Sequence, residues 1–261
     1  MTERINPNNI STVQTSLMAL RHLAVYQFVK TFIPDKKILD LGCGVGYGTL
    51  LLANTAKQAV GLDRAFEPLK SNSFSTSPIF VNGNSERLPF PDNSFDIVIS
   101  LQVIEHIQDD SNYLQEIKRI ILPGGTFIVS TPNKASRLWP YQPPFNPYHV
   151  REYDQDALKG VLTKQFSSVE IMGLQAQPEI MAIEQTRLKQ NPIRVYSELL
   201  FPPVVVDQLK TIRNSLKNDA SITKTAKQIS SSQDSTYTSK DFWVSHTNIT
   251  MSLDLIGICR K

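Results

Sequence analysis

Cysteine is nearly absent. Only Cys43 and Cys259 occur in 261 residues, far apart in the chain. That count excludes a disulfide framework and a cysteine-rich zinc site. Long apolar runs are missing as well. The nearest, LLFPPVVV from Leu199 to Val206, is short and carries two prolines, well below the about 18 apolar residues of a membrane span. No apolar run stands behind basic residues in MTERINPNNISTVQTS, so no secretory signal is read there and a cytoplasmic location is expected. Charge of one sign is also scarce. The chain has 27 Lys+Arg against 24 Asp+Glu, a formal net charge of +3, which gives no bulk attraction toward nucleic acid or membrane. Hydrophobic residues make up 41% and charged residues 20%; that is enough for a sizeable core and excludes global disorder.

What is present is a rhythm. A helix is predicted from about Thr15 to Thr31, stopping near Pro34. KKILDLG (Lys36 to Gly42), QAVGLD ending at Asp63, PIFVNGN ending near Gly83, FDIVIS (Phe95 to Ser100) and TFIVST (Thr126 to Thr131) read as buried strands. Between the last two, Leu114, Ile117, Ile120 and Ile121 fall at helical spacing, and Pro123-Gly124-Gly125 ends that helix. Strands alternating with helices imply a parallel sheet covered on both faces. Ligands of such sheets bind beyond the carboxyl ends of the strands.

The rhythm breaks near Gln175. Residues 175–249 are rich in Ser, Thr, Gln and Pro, and Ile229 to Asp241 reads as a flexible loop. From Gln185 to Ser230 there are eight Lys and Arg against three Asp and Glu, which leaves 19 against 21 elsewhere. The positive charge therefore sits in this segment, as a solvated helical face or as a lid over an anionic substrate. The pattern returns at ITMSLDLIGICRK, a terminal strand. The expected division is a core of residues 1–174 and 250–261 with 175–249 inserted as a cap or oligomer contact.

The densest motif follows the first strand: Asp40-Leu-Gly42-Cys-Gly44-Val-Gly46-Tyr-Gly48. Closely spaced glycines let backbone N–H groups and a helix N-terminus approach a ligand. G-x-G-x-x-G fails here, because its last glycine would fall at Tyr47 or Thr49. A phosphate-binding P-loop fails too, since no Lys-Ser/Thr follows. The pattern that fits is D-x-G-x-G-x-G.

With this loop, Asp63 after the second strand, Gly83-Asn84-Ser85-Glu86-Arg87-Leu88-Pro89-Phe90 after the third, then PDNSFDIVIS, VIEHI and LPGG in order, the chain resembles the class I S-adenosylmethionine-dependent methyltransferases. The likeness is to those of ubiquinone and menaquinone biosynthesis and related sugar and small-molecule O-methyltransferases, over roughly residues 28–173. The resemblance implies a doubly wound, seven-stranded, mostly parallel Rossmann-like sheet of order 3-2-1-4-5-7-6, with the last strand antiparallel and the insertion between the last two strands. It implies S-adenosyl-L-methionine as cofactor. Asp63 would take the two ribose hydroxyls, which suits a carboxylate, with Arg64 beside it. Asp40 and the Leu101 carbonyl would meet the methionine ammonium, and Gly42, Gly44 and Gly46 would form the cradle. Asn84 and Ser85 would face the adenine, Asn84 replacing the usual aspartate. Tyr26 would close over the cofactor carboxylate.

For the acceptor side two of four histidines stand out. His149 lies in NPYHVREY after the fifth strand, which resembles the N-P-x-H-x-x-E-(Y/F) element of quinone-type and sugar O-methyltransferases. His106, in IEHI after the fourth, is the second candidate base. His22 and His246 receive no role. Trp139, Tyr141, Phe145 and Tyr148 surround His149 in sequence and either wall an acceptor or pack the loop. Gln142-Pro143-Pro144-Phe145 stands after strand five, the wrong place for the amino-methylating element of nucleic-acid enzymes, so DNA is not expected. Neither cysteine suits cytosine-5 chemistry. No His/Asp/Glu group shows metal-ligand spacing, so no metal is expected. The expected acceptor is an oxygen of a small metabolite or a glycan sugar. An RNA or protein acceptor, with only the basic insertion behind it, ranks below; a non-catalytic partner protein and a homo-oligomer also stay open.

Overall fold

Strand β1 (Lys37–Leu41) is the seed of the sheet. Its side chains alternate between two apolar layers: Leu39 and Leu41 enter one, Ile38 the other. The same two-residue alternation holds in β4 (Phe95–Leu101), β5 (Ile121–Pro132) and β8 (Asp254–Arg260). Val98, Phe127 and Leu255 face the first layer; Ile97, Ile128 and Ile256 face the second. A strand with both faces apolar has to be covered on both sides. Helices α3 (Asp110–Ile120) and α5 (Gln155–Leu162) supply Leu114, Ile117 and Leu158 to one face. Helices α1 (Val13–Val29) and α2 (Tyr47–Ala53) supply Val25, Val29 and Leu52 to the other. The starts of α3 and α5 follow local chemistry. Asp109 and Asp154 each accept a backbone N–H, from Asn112 at 3.0 Å and Ala157 at 2.9 Å, as N-cap residues do.

These coordinates are a computed structural model that describes residues 13–64, 78–188 and 237–261. The sheet also holds β2 (Gln58–Asp63), β3 (Ile79–Asn82), β6 (Ser168–Ala176) and β7 (Phe242–Ser245), in the order β3-β2-β1-β4-β5-β8-β6-β7. The first five strands are parallel; β8 runs antiparallel to both β5 and β6. This is the expected doubly wound α/β sheet with one correction: it has eight strands, not seven. The additional β7 pairs antiparallel with the end of β6, from Gly173↔Ser245 to Ala176↔Phe242. It lies inside the Ser- and Thr-rich stretch, where a four-residue edge strand is hidden by its surroundings.

Two boundaries also moved, and one helix was added. Ile121 opens β5 opposite Phe95 instead of closing α3. Ile249–Met251 forms a 3₁₀ turn, and the terminal strand begins at Asp254. Helix α6 (Pro178–Leu188) follows β6. From residue 189 to 236 the basic insertion and most of the predicted loop at Ile229 to Asp241 lie outside the described residues. Among the described residues no helix is long and apolar enough to cross a membrane.

Candidate functional site

The carboxyl ends of β1, β2, β4 and β5 share one edge of the sheet, and the singled-out residues gather there. Where β1 ends, the backbone turns sharply. Gly42 N and Cys43 N both donate to the Leu62 carbonyl, at 2.7 and 3.1 Å. Gly42, Gly44 and Gly46 take φ of +80°, +57° and +87°, a region costly for residues with a Cβ. A side chain at Gly42 would also run into Val103, whereas nothing stands within 4 Å of where a Cβ of Gly44 would be. The loop therefore presents bare backbone toward open space. Asp63, at the end of β2, accepts the Gly44 N–H at 2.9 Å, so the loop and the carboxylate expected to meet a ribose are tied together.

Asp40 lies beneath this loop, 1% exposed. Thr49 Oγ1 donates to it at 2.6 Å, and the Tyr26 hydroxyl lies 3.2 Å from each carboxylate oxygen. Burial pushes the Asp40 carboxyl up to about 6, while these two hydrogen bonds pull it the other way. A buried carboxylate so held is a natural partner for an ammonium group. Tyr26 is fully buried and packs against Gly48, where a methyl group would collide with its ring. Its hydroxyl serves Asp40. His22, which received no role from sequence, hydrogen-bonds through Nδ1 to the Tyr47 hydroxyl and lies edge-on to Tyr26. Burial holds its pKa down to about 4, so the ring is neutral at neutral pH. Thr49 and His22 were missed because only the docking of α2 and α1 brings Thr49 to Asp40 and His22 to Tyr47.

The remaining residues expected to meet the cofactor lie at or just after the ends of β2, β3 and β4. Leu101 ends β4, two residues beyond Ile99, the partner of Asp40 across the sheet. Arg64 is exposed in the turn after β2. Asn84 and Ser85 follow β3, whose Asn82 pairs with Asp63. The Asn84 amide oxygen accepts the Glu86 N–H at 3.0 Å, so it shapes the turn that would face an adenine.

The segments expected on the acceptor side are far apart in sequence and meet in the fold. Ile104–His106 forms a 3₁₀ turn after β4. The Glu105 carbonyl accepts the Val150 N–H at 2.8 Å, and this stitch lays NPYHVRE across it. His106 and His149 meet edge to face with ring centroids 4.7 Å apart. His106 Nδ1 donates to the Tyr148 carbonyl at 3.0 Å, and His149 Nδ1 lies 2.9 Å from Glu152 Oε1. Arg137 sits 3.4 Å from the other oxygen of the buried Glu152. With Nδ1 of both rings bound to oxygen acceptors, the lone pair of each neutral imidazole is on Nε2. Glu105 is fully buried. Its Oε2 accepts the Thr131 hydroxyl at 3.0 Å, and burial pushes its carboxyl up to about 8. Of the neighbouring aromatics, Tyr141 and Tyr148 are 88% and 54% exposed, so neither ring is buried in the loop.

Glu105, His106 and His149 each place a donor atom within 4.8 Å of the other two. Spacing along the chain gave no such group, because 43 positions separate His106 from His149 and the stitch between the two loops is a tertiary contact.

Residues 39–129 match the family model described as a methyltransferase domain. A probable S-adenosylmethionine-dependent methyltransferase of Mycolicibacterium smegmatis is 36% identical over 143 residues, 54% of this chain and 56% of that one. One from Mycobacterium tuberculosis is 34% identical over 163 residues, 61% of this chain and 59% of that one. The chain thus spans somewhat over half the length of these curated relatives. The crystal structure of a SAM-dependent methyltransferase from Archaeoglobus fulgidus superposes with a TM-score of 0.55 at 16% identity, over 92% of this chain and 94% of that one; at that identity the likeness is one of fold.

Proposed function

This chain carries a class I S-adenosylmethionine-dependent methyltransferase domain, and we propose that it methylates an oxygen of a small metabolite or a glycan sugar. The observation behind this reading is the meeting of two half-sites on one sheet edge. The bare glycine loop with Asp40 and Asp63 fits the cofactor, and the His106–His149 pair stands beside it over the ends of β4 and β5.

When bound, S-adenosylmethionine supplies a sulfonium-activated methyl group, which an acceptor oxygen takes in line as the carbon–sulfur electron pair returns to sulfur. Asp40 would hold the ammonium, aided by the Leu101 carbonyl, and Asp63 would hold the ribose diol. Gly42, Gly44 and Gly46 give the backbone room to approach, while Arg64, Asn84 and Ser85 border the adenine end. Tyr26 acts one step back, by keeping Asp40 in place. Much of such a displacement is positioning. A hydroxyl acceptor also loses a proton, and Nε2 of His149 takes it, with Glu152 fixing the ring and balancing the charge gained. His106 orients the acceptor from the second edge. Tyr141 and Tyr148 offer aromatic faces of the kind that apolar rings and sugars stack on.

The test is release of S-adenosylhomocysteine from S-adenosylmethionine across a panel of phenolic, sugar and lipid-headgroup hydroxyls. Turnover is expected with a hydroxyl acceptor, and His149→Ala should lower it while leaving S-adenosylhomocysteine affinity intact. Equal loss of both would mark His149 as structural. Methylation confined to RNA or protein would replace the small-molecule reading.

A further inference from the structure

We propose that Glu105, His106 and His149 form a site for one divalent transition-metal ion at the acceptor end of the cleft. Two imidazoles and one carboxylate come from two separate loops, and their donor atoms all lie within 4.8 Å of one another. Two further observations point to a ligand rather than to chance clustering. Glu105 is fully buried, and its Oε1 has no hydrogen-bond partner among the described residues, while Oε2 is held by Thr131 at 3.0 Å. A buried carboxylate oxygen left so is costly unless something else meets it.

The second observation is the way the rings are held. His149 Nδ1 is bound by the Glu152 carboxylate and His106 Nδ1 by the Tyr148 carbonyl. That is the outer-shell arrangement of metal-bound histidines: the second ring nitrogen donates to a carboxylate or carbonyl, which fixes the tautomer and the ring. Glu152 is itself anchored by Arg137, so the support extends one layer further.

The donor set selects the metal. Imidazole suits zinc, copper, iron or nickel, whereas magnesium, calcium and manganese prefer oxygen donors. Bonds of about 2.0–2.2 Å would draw the three donors closer than they stand now. Three protein ligands leave coordination positions open, the pattern of catalytic rather than structural sites.

The role follows if the methyltransferase reading holds, and this part rests on it. An acceptor hydroxyl bound at an open position becomes more acidic. Its proton leaves to water, and its oxygen lone pair forms the new bond to the methyl carbon as the carbon–sulfur pair returns to sulfur. With the ion in place, the Nε2 atoms of His106 and His149 hold it, and water takes the proton that Nε2 of His149 takes when the site holds no ion.

The experiment is metal binding by the purified full chain, stripped with chelator and titrated with Zn(II) in equilibrium dialysis. Co(II) serves as a spectroscopic probe and Mg(II) as the contrast. The wild type should bind about one Zn(II) per chain, show a cobalt ligand-field spectrum and bind Mg(II) far more weakly. His106→Ala, His149→Ala and Glu105→Gln should each abolish both signals. Glu152→Gln, which leaves all three ligands, should weaken Zn(II) by about 10–100-fold. S-adenosylhomocysteine stabilisation in each variant reports that the fold is intact. Absence of stoichiometric Zn(II) in the wild type, or equal binding in folded ligand variants, overturns the site even if methyl transfer proceeds. Failure of S-adenosylhomocysteine to stabilise the wild type would instead remove the methyltransferase reading, and zinc retained by the wild type but lost by the ligand variants would still establish the metal site.

Discussion

The Tyr26 hydroxyl reaches from α1 to Asp40 and lies 3.2 Å from both of its carboxylate oxygens. The two residues belong to different layers of the fold, a covering helix and the central strand. Their contact joins the stability of the N-terminal helix to the state of the residue that would hold the cofactor's ammonium. Tyr26 and Thr49 favour the ionised carboxylate, and burial favours the neutral acid. Burial prevails in the ligand-free protein, and an arriving cation would reverse that balance.

A pH dependence follows. The Asp40 carboxyl is raised from 3.8 to about 6 in the folded protein, so between those values the folded state binds more protons than the unfolded chain. The contribution of this group to stability therefore declines as pH rises through that window and is level above it. Cofactor binding should go the other way, because an ammonium requires the carboxylate. Calorimetric titration with S-adenosylhomocysteine should show affinity rising from about pH 5 to about pH 7, where the amino group of the ligand stays charged. Asp40→Asn should flatten that rise; an equally steep profile in the variant would assign the titration to another group.

Gly48→Ala should destabilise the protein by about 1–3 kcal/mol through overpacking, since the added methyl would collide with the Tyr26 ring. The same substitution in a Tyr26→Leu background should cost much less. A double-mutant cycle by chemical denaturation measures the coupling, and strict additivity would mean that α1 gives way freely at this contact.

Asp63→Ala removes both the expected ribose contact and the acceptor for Gly44 N–H. S-adenosylhomocysteine affinity should fall by about 1–3 kcal/mol. Asp63→Asn keeps one oxygen for the loop, so it should lose less stability than Asp63→Ala while still weakening the ligand. Thermal shifts with S-adenosylhomocysteine beside NAD and ATP are the measurement. Unchanged affinity in both variants would remove the ribose assignment.

Arg21 in α1 binds Asp254 in β8 through Nε at 2.6 Å, with a second guanidinium contact to the same carboxylate, and lies 3.5 Å from Glu184. Asp254 is 1% exposed. Arg21→Ala would leave that charge buried and uncompensated, at a cost of about 3–5 kcal/mol. Urea denaturation should show a lower midpoint, and a loss under 1 kcal/mol would mean that water reaches the pair.

What could be read without coordinates was what local spacing encodes. The glycine loop follows β1 directly, and Asp63 ends β2. The amphipathic spacing of Leu114, Ile117 and Ile120 recovered α3, but not its last boundary, because an isoleucine fits the end of a helix and the start of a strand equally well. Strand β7 escaped notice since four residues of an edge strand carry too little alternation to stand out from a Ser- and Thr-rich stretch.

By itself, then, the sequence determined the alternation of strands and helices, the glycine loop after β1 and the two histidines worth testing. Those are properties of neighbouring residues, set by side-chain periodicity and by the backbone freedom of glycine. Only the tertiary structure decided that Glu105, His106 and His149 converge, that Tyr26 serves Asp40, and that Arg21 meets Asp254 across 233 positions. Such meetings depend on which helix packs on which face of the sheet, and that choice is made by burial of the whole apolar surface at once, not by any spacing along the chain.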